Sequence, residues 1–291
     1  MKIAVFGNRY TAPEKLRSIR PMVNFMERKE VELYIEKSFY DFGREKLGIT
    51  PNVKGLIDEN DDFDADIVFS IGGDGTFLQT ATRIGKKEIP ILGINTGRLG
   101  FLADVSNNDV QHVLPEILNR KYEIESRTIL KLSTGEKIFK GYNYALNEVA
   151  VTKFDNSSMI TIHAYIDGNY LNSYQADGLL IATPTGSTAY SMSVGGPIIE
   201  PTAANFVITP IAPHSLNTRP LVITDDNVIT LRMESRNKSV LVALDGRSAE
   251  IERDVEITIQ KADFTAKVIK RFNHTFYDTI RTKLMWGADN R

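Results

Sequence analysis

Asp66-Ile-Val-Phe-Ser-Ile-Gly-Gly-Asp-Gly-Thr-Phe-Leu-Gln-Thr-Ala-Thr-Arg-Ile84 is the stretch whose reading decides the fold. Asp66–Ile71 is an apolar run of the kind that forms a strand buried on both faces. Phe77–Ile84 repeats apolar residues at helical spacing. Between them Gly72-Gly-Asp-Gly-Thr76 puts a carboxylate inside a glycine turn. Strand, glycine loop and helix in that order make an anion site, because glycines let backbone N–H groups close on oxygens at the positive end of the helix dipole. Gly72, Gly73, Gly75 and Thr76 are therefore the candidate phosphate loop. An aspartate fixed there would repel phosphate unless it binds a metal or takes a proton from an attacking hydroxyl, and either role points to phosphoryl transfer. The plainer alternative is a tight turn whose Asp74 caps the helix. Neither Gly-x-x-x-x-Gly-Lys-Ser/Thr nor Gly-x-Gly-x-x-Gly fits, since Leu78 occupies the last glycine position of the second pattern.

Outward from the loop, the first third alternates strand and helix signals. Lys2–Phe6, Val31–Ile35, Asp66–Ile71 and Ile89–Ile94 read as strands, and Pro13–Met26 and Asn108–Leu118 carry helical spacing. This alternation predicts a parallel sheet covered by helices over residues 1–122, with ligands at the carboxyl ends of the strands, where Asp74 and Asn95 would lie. From Glu123 the character changes to short β-rich runs: Ile129–Leu132, Ala145–Thr152, Met159–Ile166, Gly178–Thr183, Val228–Met233, Val240–Leu244, Val255–Ile259 and Ala266–Ile269. Turn signals such as Asp167-Gly168 and Asp245-Gly246 separate them. Residues 123–272 thus read as a second, mostly antiparallel β-rich domain. The helical spacing of Thr275–Trp286 predicts a C-terminal helix within 273–291 that packs on the first domain or on a partner subunit.

Composition narrows the function. The 291 residues are 42% apolar, enough for two domains with sizeable cores. A net charge of −2 gives no bulk drive toward nucleic acid or an anionic membrane. The chain has no cysteine, which removes disulfides, thiolate nucleophiles and cysteine zinc sites. The start of the chain turns polar at Asn8-Arg9, without the apolar length of a signal peptide, and no run has the length of a membrane span. A cytoplasmic location is the expectation. His112, His163, His214 and His274 stand apart with no ligand spacing, so a metal would be magnesium-like and held by carboxylate and substrate phosphate oxygens.

Three further segments carry polar chemistry. Asn147-Glu148 interrupts an apolar run, and an amide beside a carboxylate suits the vicinal hydroxyls of a ribose; one exposed strand face is the alternative. Asp177 precedes the apolar Gly178–Thr183, where a turn role competes. Pro184-Thr-Gly-Ser-Thr-Ala-Tyr-Ser-Met-Ser-Val-Gly-Gly-Pro197 collects small hydroxyl residues, able to hydrogen-bond a nucleotide through Thr188 and Ser191 and to present Tyr190 to a base. A flexible loop is the alternative there. No Gly-x-Ser-x-Gly elbow occurs, so a serine hydrolase is rejected.

With these motifs on the page, the chain resembles the NAD kinase family, enzymes that phosphorylate NAD to NADP. The resemblance covers nearly the whole length. It rests on Gly72-Gly-Asp-Gly-Thr76, Gly93-Ile-Asn-Thr-Gly-Arg-Leu-Gly-Phe101, Asn147-Glu148, Asp177-Gly178 and Pro184-Thr-Gly-Ser-Thr-Ala-Tyr-Ser191. It implies a fold of α/β plus all-β class: a Rossmann-like N-terminal domain, a β-rich, sandwich-like C-terminal domain and a site in the cleft. It also implies a homodimer or homotetramer whose neighbouring subunit completes the NAD site. Asp74 matches the catalytic base and Gly75 its loop partner. Asn147, Glu148, Asp177, Thr188, Ala189, Tyr190, Ser191, Met192 and Ser193 match NAD-contacting positions, and Ala212 matches the subunit-crossing segment. Ser158, Gln175 and Arg247 depart from residues some relatives carry. The expected reaction moves a terminal phosphoryl group from ATP or another donor to the adenosine ribose 2′-hydroxyl, with a divalent metal, such as Mg2+, on the phosphates. A lipid kinase of the diacylglycerol or sphingosine type shares the aspartate loop and is the alternative enzyme. A non-catalytic nucleotide sensor is the alternative outside enzymes.

Overall fold

The apolar run before the glycine loop forms a strand in which every residue is buried, and the rest of the first unit is assembled around it. The structure is a computed structural model that describes residues 1–16, 19–97, 100–103, 105–135, 138–155, 158–272 and 274–287. Arg98 and Leu99 of the second glycine motif, and Asn273 and 288–291 of the C-terminal segment, lie outside the described residues. Contacts divide the chain into one unit of residues 1–126 with 266–291 and a second of residues 127–265. No helix among the described residues is long and apolar enough to cross a membrane.

The first unit runs β1 (Lys2–Gly7), α1 (Ile19–Arg28), β2 (Glu32–Glu36), α2 (Lys37–Leu47), β3 (Gly55–Ile57), β4 (Ile67–Gly72), α3 (Asp74–Ile84), β5 (Ile91–Asn95), β6 (Val105–Ser106), α4 (Val110–Leu118) and β7 (Glu123–Arg127). β1 pairs in parallel with β2 and β4, and β4 with β5, so the chain reverses direction of travel across the sheet at β1. Ile3, Val5, Phe69 and Ile71 meet Met22, Met26 and Leu114 in the core under α1 and α4. Of the expected helix over Pro13–Met26, the described part is a 3-10 turn at Pro13–Leu16 followed by α1. α2 was not anticipated: its aromatic residues and Gly43 hide a helix that buries only Phe39 and ends at Gly48 in the left-handed conformation.

The second unit runs β8 (Leu130–Ser133), β9 (Tyr144–Ala145), β10 (Glu148–Lys153), β11 (Ile160–Ile166), β12 (Asn169–Ala176), β13 (Gly178–Ala182), α5 (Tyr190–Ser193), β14 (Asn205–Ile211), β15 (Leu221–Thr224), β16 (Ile229–Glu234), β17 (Ser239–Leu244), β18 (Arg247–Glu252) and β19 (Ile257–Lys261). Two antiparallel sheets result, ordered β15-β14-β13-β10-β17-β18 and β12-β11-β16-β19-β8-β9. Val149, Val151, Leu179 and Phe206 from the first sheet share a core with Ile162, Leu231 and Ile257 from the second. The chain changes sheets twice at a site candidate: between β9 and β10 at Leu146-Asn147, and between β12 and β13 at Asp177. The expected continuous strand over Ala145–Thr152 is therefore broken. The N–H groups of Leu146 and Asn147 turn to the Asp245 carboxylate instead of a neighbouring strand.

The chain then returns to the first unit with β20 (Ala266–Lys270) and α6 (Phe276–Leu284). This corrects the expected division at 122/123 and 272/273. β20 pairs in parallel with β5, and β7 belongs to the same sheet. An apolar run does not disclose which sheet will bury it, and here Val268 and Ile269 complete the parallel sheet.

Candidate active site

In the first unit the glycine loop is the turn from β4 into α3. Gly73 stands at the N-cap, and Asp74 opens the helix without capping it. The capping alternative therefore fails. The Asp74 carboxylate reaches across to the segment after β5, accepting from Phe101 N–H at Oδ2 (2.9 Å) and from Leu102 and Ala103 N–H at Oδ1 (both 3.0 Å). The Nζ of Lys283, on α6, lies 3.5 Å from Oδ2. Gly100 is a glycine for steric reasons, because a Cβ there would stand 2.0 Å from Asp74 Oδ1. Asn95, 3% exposed at the end of β5, turns inward and accepts from Gly97 N–H (2.6 Å).

On the loop's other side, Gly73 and Gly75 are exposed with open space where a Cβ would stand. Together with Thr76 they line a wide cleft of about 1110 Å³ at the carboxyl ends of β1, β2 and β4. Gly72 is buried against Thr76, so it shapes the loop from beneath. The N–H groups of Asp74, Gly75 and Thr76 precede the first helical bond, Phe77 N–H to Gly73 C=O, and are the orphan donors of the helix start. An anion entering the cleft meets them and the α3 dipole.

In the second unit Asn147 and Glu148 sit at a corner of the sandwich. Asn147 is 7% exposed, and its side-chain Oδ1 is buried with no partner among the described residues, as is Glu148 Oε2. Buried acceptors with nothing to accept are costly, and a donor-rich ligand relieves them. The corner is pinned by Asp245, whose carboxylate accepts from Leu146 (2.7 Å), Asn147 (2.8 Å) and Glu148 (3.1 Å) N–H groups. Burial pushes the Glu148 carboxyl up to about 8, with the neighbouring Asp245 charge adding to the rise and a hydrogen bond from Tyr190 N–H opposing it. Burial raises Asp245 too. Its three amides and the Arg247 charge oppose that rise.

The hydroxyl-rich segment folds onto this corner. Thr183 Oγ1 donates to Leu146 C=O (2.6 Å), and Thr183 N–H donates to Asn147 C=O (2.9 Å). Gly186 lies so close that a Cβ would stand 2.1 Å from the Asn147 carbonyl oxygen. The segment is ordered as a 3-10 turn (Thr185–Thr188) and the single turn α5, which replaces the flexible-loop alternative. Tyr190 and Ser193 are exposed, while Ala189 and Met192 are half-buried. Thr188 Oγ1 donates to Thr185 C=O (3.2 Å). Ser191 departs from expectation: it is fully buried, with its hydroxyl 3.4 Å from that of Thr209.

Asp177 and Ala212 are elsewhere. Asp177 pairs with Lys153 (2.7 Å) and its N–H donates to Ile211 C=O (2.9 Å), just before Ala212, whose φ is 45°. The length of β13 separates them from Asn147-Glu148, roughly 17 Å at about 3.3 Å per residue. Gln175 is exposed and accepts from His214 N–H through its carbonyl (2.8 Å), and Ser158 is half-buried before β11. Arg247 donates to the Tyr142 (3.0 Å) and Tyr144 (2.5 Å) carbonyls and lies over the Phe139 and Tyr142 rings. It braces the segment leading to the corner. The sequence shows Asp245 only as a turn residue after the apolar Val240–Leu244, and nothing local names the amides it holds. Among the described residues no three His, Asp or Glu side chains form a metal-binding group.

An anion-binding glycine loop with a fixed carboxylate, on a parallel α/β unit, and a polar corner on an antiparallel sandwich define a nucleotide phosphotransferase. The family model described as ATP-NAD kinase N-terminal domain matches residues 15–122, and that described as ATP-NAD kinase C-terminal domain matches residues 146–271. The NAD kinase of Bacteroides fragilis is 52% identical over 291 residues, all of both chains. That of Porphyromonas gingivalis is 45% identical over 287 residues, 99% of this chain and 98% of its own. Among solved structures, an NAD kinase from Archaeoglobus fulgidus in complex with ATP superposes with a TM-score of 0.73 at 27% identity, covering 99% of this chain and 98% of its own. Yeast NADH kinase complexed with NADH has the same fold, with a TM-score of 0.87 at 21% identity over 100% of this chain and 89% of its own. The chain belongs to the NAD kinase family. The lipid-kinase alternative falls, since it rested on the first glycine loop alone and the match extends through the sandwich.

Proposed function

We propose that this NAD kinase uses Asp74 as the base that takes the proton of the adenosine ribose 2′-hydroxyl of NAD while the terminal phosphoryl group of ATP moves to that oxygen. The bond from the 2′-oxygen to phosphorus forms, the bond from phosphorus to the bridging oxygen breaks, and ADP leaves with NADP as the other product. The observation that carries the reading is the Asp74 carboxylate, 30% exposed and fixed by three backbone amides at the start of α3, in the loop whose opposite side lines the open cleft. The free amides at the loop and the α3 dipole suit the donor's phosphates. Oδ1 is filled by two amides, so Oδ2 is the oxygen with capacity left for a proton.

Among its described residues the chain offers no acidic cage for a metal. A divalent cation such as Mg2+ would therefore arrive on the donor phosphates and neutralise their charge there. The unpartnered Asn147 Oδ1, and Glu148 as a proton-bearing acid, support contacts to amide and hydroxyl groups of NAD. Gly75, Thr188, Ala189, Tyr190, Met192 and Ser193 are assigned to the same substrate; Ser191 contributes through its backbone, its hydroxyl being turned inward. The separation of Asp177 and Ala212 from Asn147-Glu148 supports a homodimer or homotetramer in which a second copy supplies Asp177 and Ala212 to the NAD site.

The test is NADP formation from NAD, ATP and magnesium, with polyphosphate as a second donor, for the wild type and Asp74→Asn. Turnover that drops by about a hundredfold or more in the variant supports the base assignment, and near-normal turnover overturns it.

A further inference from the structure

α6 brings a cation to Asp74 from the far end of the chain. The helix starts at a capping box, with Asp278 N–H donating to Thr275 Oγ1 (3.2 Å) and Thr275 N–H to Asp278 Oδ2 (2.9 Å). Phe276, Thr279, Ile280 and Lys283 fall at the spacing of one helix face. That face is turned inward: Thr279 is 1% and Ile280 5% exposed, and the Phe276 ring lies 6.5 Å from that of Phe101. Lys283 is therefore a lysine on the packed stripe of its helix. Its Nζ sits 4.2 Å from the Phe101 ring centroid and 3.5 Å from Asp74 Oδ2. A lysine in the last turn that served only the helix dipole would have no need to lie along Phe101 toward another helix.

The two oxygens of Asp74 are held unequally. Oδ1 has two amides at 3.0 Å, whereas Oδ2 has one amide at 2.9 Å and the longer, softer contact to Lys283. Among the described residues the Lys283 ammonium is the one partner of the carboxylate on a flexible side chain, and it can turn aside without unfolding backbone. We propose that Lys283 is a positioning residue for phosphoryl transfer, which holds Asp74 Oδ2 in place until that oxygen takes the substrate proton. When Oδ2 gains the proton the carboxylate loses its charge, and Lys283 leaves its own positive charge beside the group being transferred. The inference rests on Asp74 being the base.

The experiment compares Lys283→Met, Lys283→Arg, Asp74→Asn and the double variant Asp74→Asn/Lys283→Met in the full chain, reading kcat, KM for NAD and Tm. Methionine keeps the length and the packing on Phe101 but removes the charge, and should lower kcat roughly tenfold with KM within about twofold, since a tenfold change corresponds to about 1.4 kcal/mol. Arginine should recover most of the loss. In the Asp74→Asn background Lys283→Met should cost nothing further, because the group it acts through is gone. A full kcat in Lys283→Met, or the same fold-loss in both backgrounds, overturns the inference while leaving the base assignment intact. So does a loss that follows Tm and is equal for Met and Arg. Near-normal turnover in Asp74→Asn removes the base reading and this inference together. Lys283→Gln takes the place of Lys283→Met if the latter does not fold.

Discussion

Each unit contains an aspartate that accepts N–H bonds from three consecutive residues, and the two are used differently. In the first, Asp74 holds the amides of Phe101, Leu102 and Ala103; in the second, Asp245 holds those of Leu146, Asn147 and Glu148. The division between the oxygens is the same, one amide on Oδ2 and two on Oδ1. What surrounds them differs. Asp74 faces a lysine and has side-chain exposure of 30%. Asp245 is deep, with the Arg247 charge acting on it and the Glu148 carboxyl beside it, and burial drives the titration of Glu148 up to about 8. In the proposed reading, one amide cradle holds a preorganised proton acceptor that is 30% exposed. The other makes a structural pin that leaves its neighbour carrying a proton. The motif alone does not set the chemistry; charge and burial around it do.

The comparison can be broken most sharply by removing each carboxylate. Asp74→Asn should cut turnover by about a hundredfold or more with little change in KM for NAD, measured as NADP formation. Asp245→Ala should act the other way, leaving three amides at the corner without a partner. Loss of about 2–4 kcal/mol of stability in urea unfolding, with a rise in KM for NAD, is the expected pattern. Equal stability losses in the two variants would show that both aspartates are pins.

A smaller effect tests the steric side of each cradle. Gly100→Ala would press a methyl group onto Asp74 Oδ1, and Gly186→Ala onto the Asn147 carbonyl. Each should cost about 1–3 kcal/mol in thermal or urea unfolding. Gly100→Ala should lower kcat, whereas Gly186→Ala should raise KM for NAD; the reverse assignment would mean that the two clusters have been given the wrong roles.

The two carboxyls of the corner are separated by pH. The Glu148 carboxyl titrates higher in the folded chain than its ordinary value, so the folded state binds its proton more tightly than the unfolded state does. The stability this provides is complete below the ordinary carboxylate range and is lost as pH rises through about 8. Glu148→Gln cannot ionise, so the wild type should lose Tm relative to this variant between pH 5 and about 8.5. A Tm difference that stays constant over that window would show that Glu148 is ionised in the folded protein.

Much of the architecture was legible because it follows from period and punctuation. The apolar runs Ile67–Ile71, broken only by Ser70, and Ile91–Ile94 read as strands covered on both sides, and Gly72–Thr76 between strand and helix as a turn at the sheet's carboxyl edge. The apolar Val240–Leu244 read as a strand without disclosing its buried face, and in the structure alternate residues are buried. α2 and β20 escaped for opposite reasons. The first buries too little to leave a pattern, and the second has a pattern that fits either sheet. Asn147 and Glu148 stand out as polar residues in an apolar run, yet no local pattern explains the break there, whose cause is Asp245, about a hundred residues later.

By itself, then, the chain's order of residues determined the α/β and β-rich halves, the glycine loop with its aspartate, and the family, since each depends on local spacing or on a contiguous motif. Tertiary structure alone decided which amides meet Asp74, that Lys283 lies against it, that Asp245 pins the Asn147-Glu148 corner, and that Ser191 turns inward. Those facts join residues as much as 209 positions apart. No local pattern encodes such pairings, because they are fixed by where the strands and helices pack and by the requirement that buried polar groups find partners.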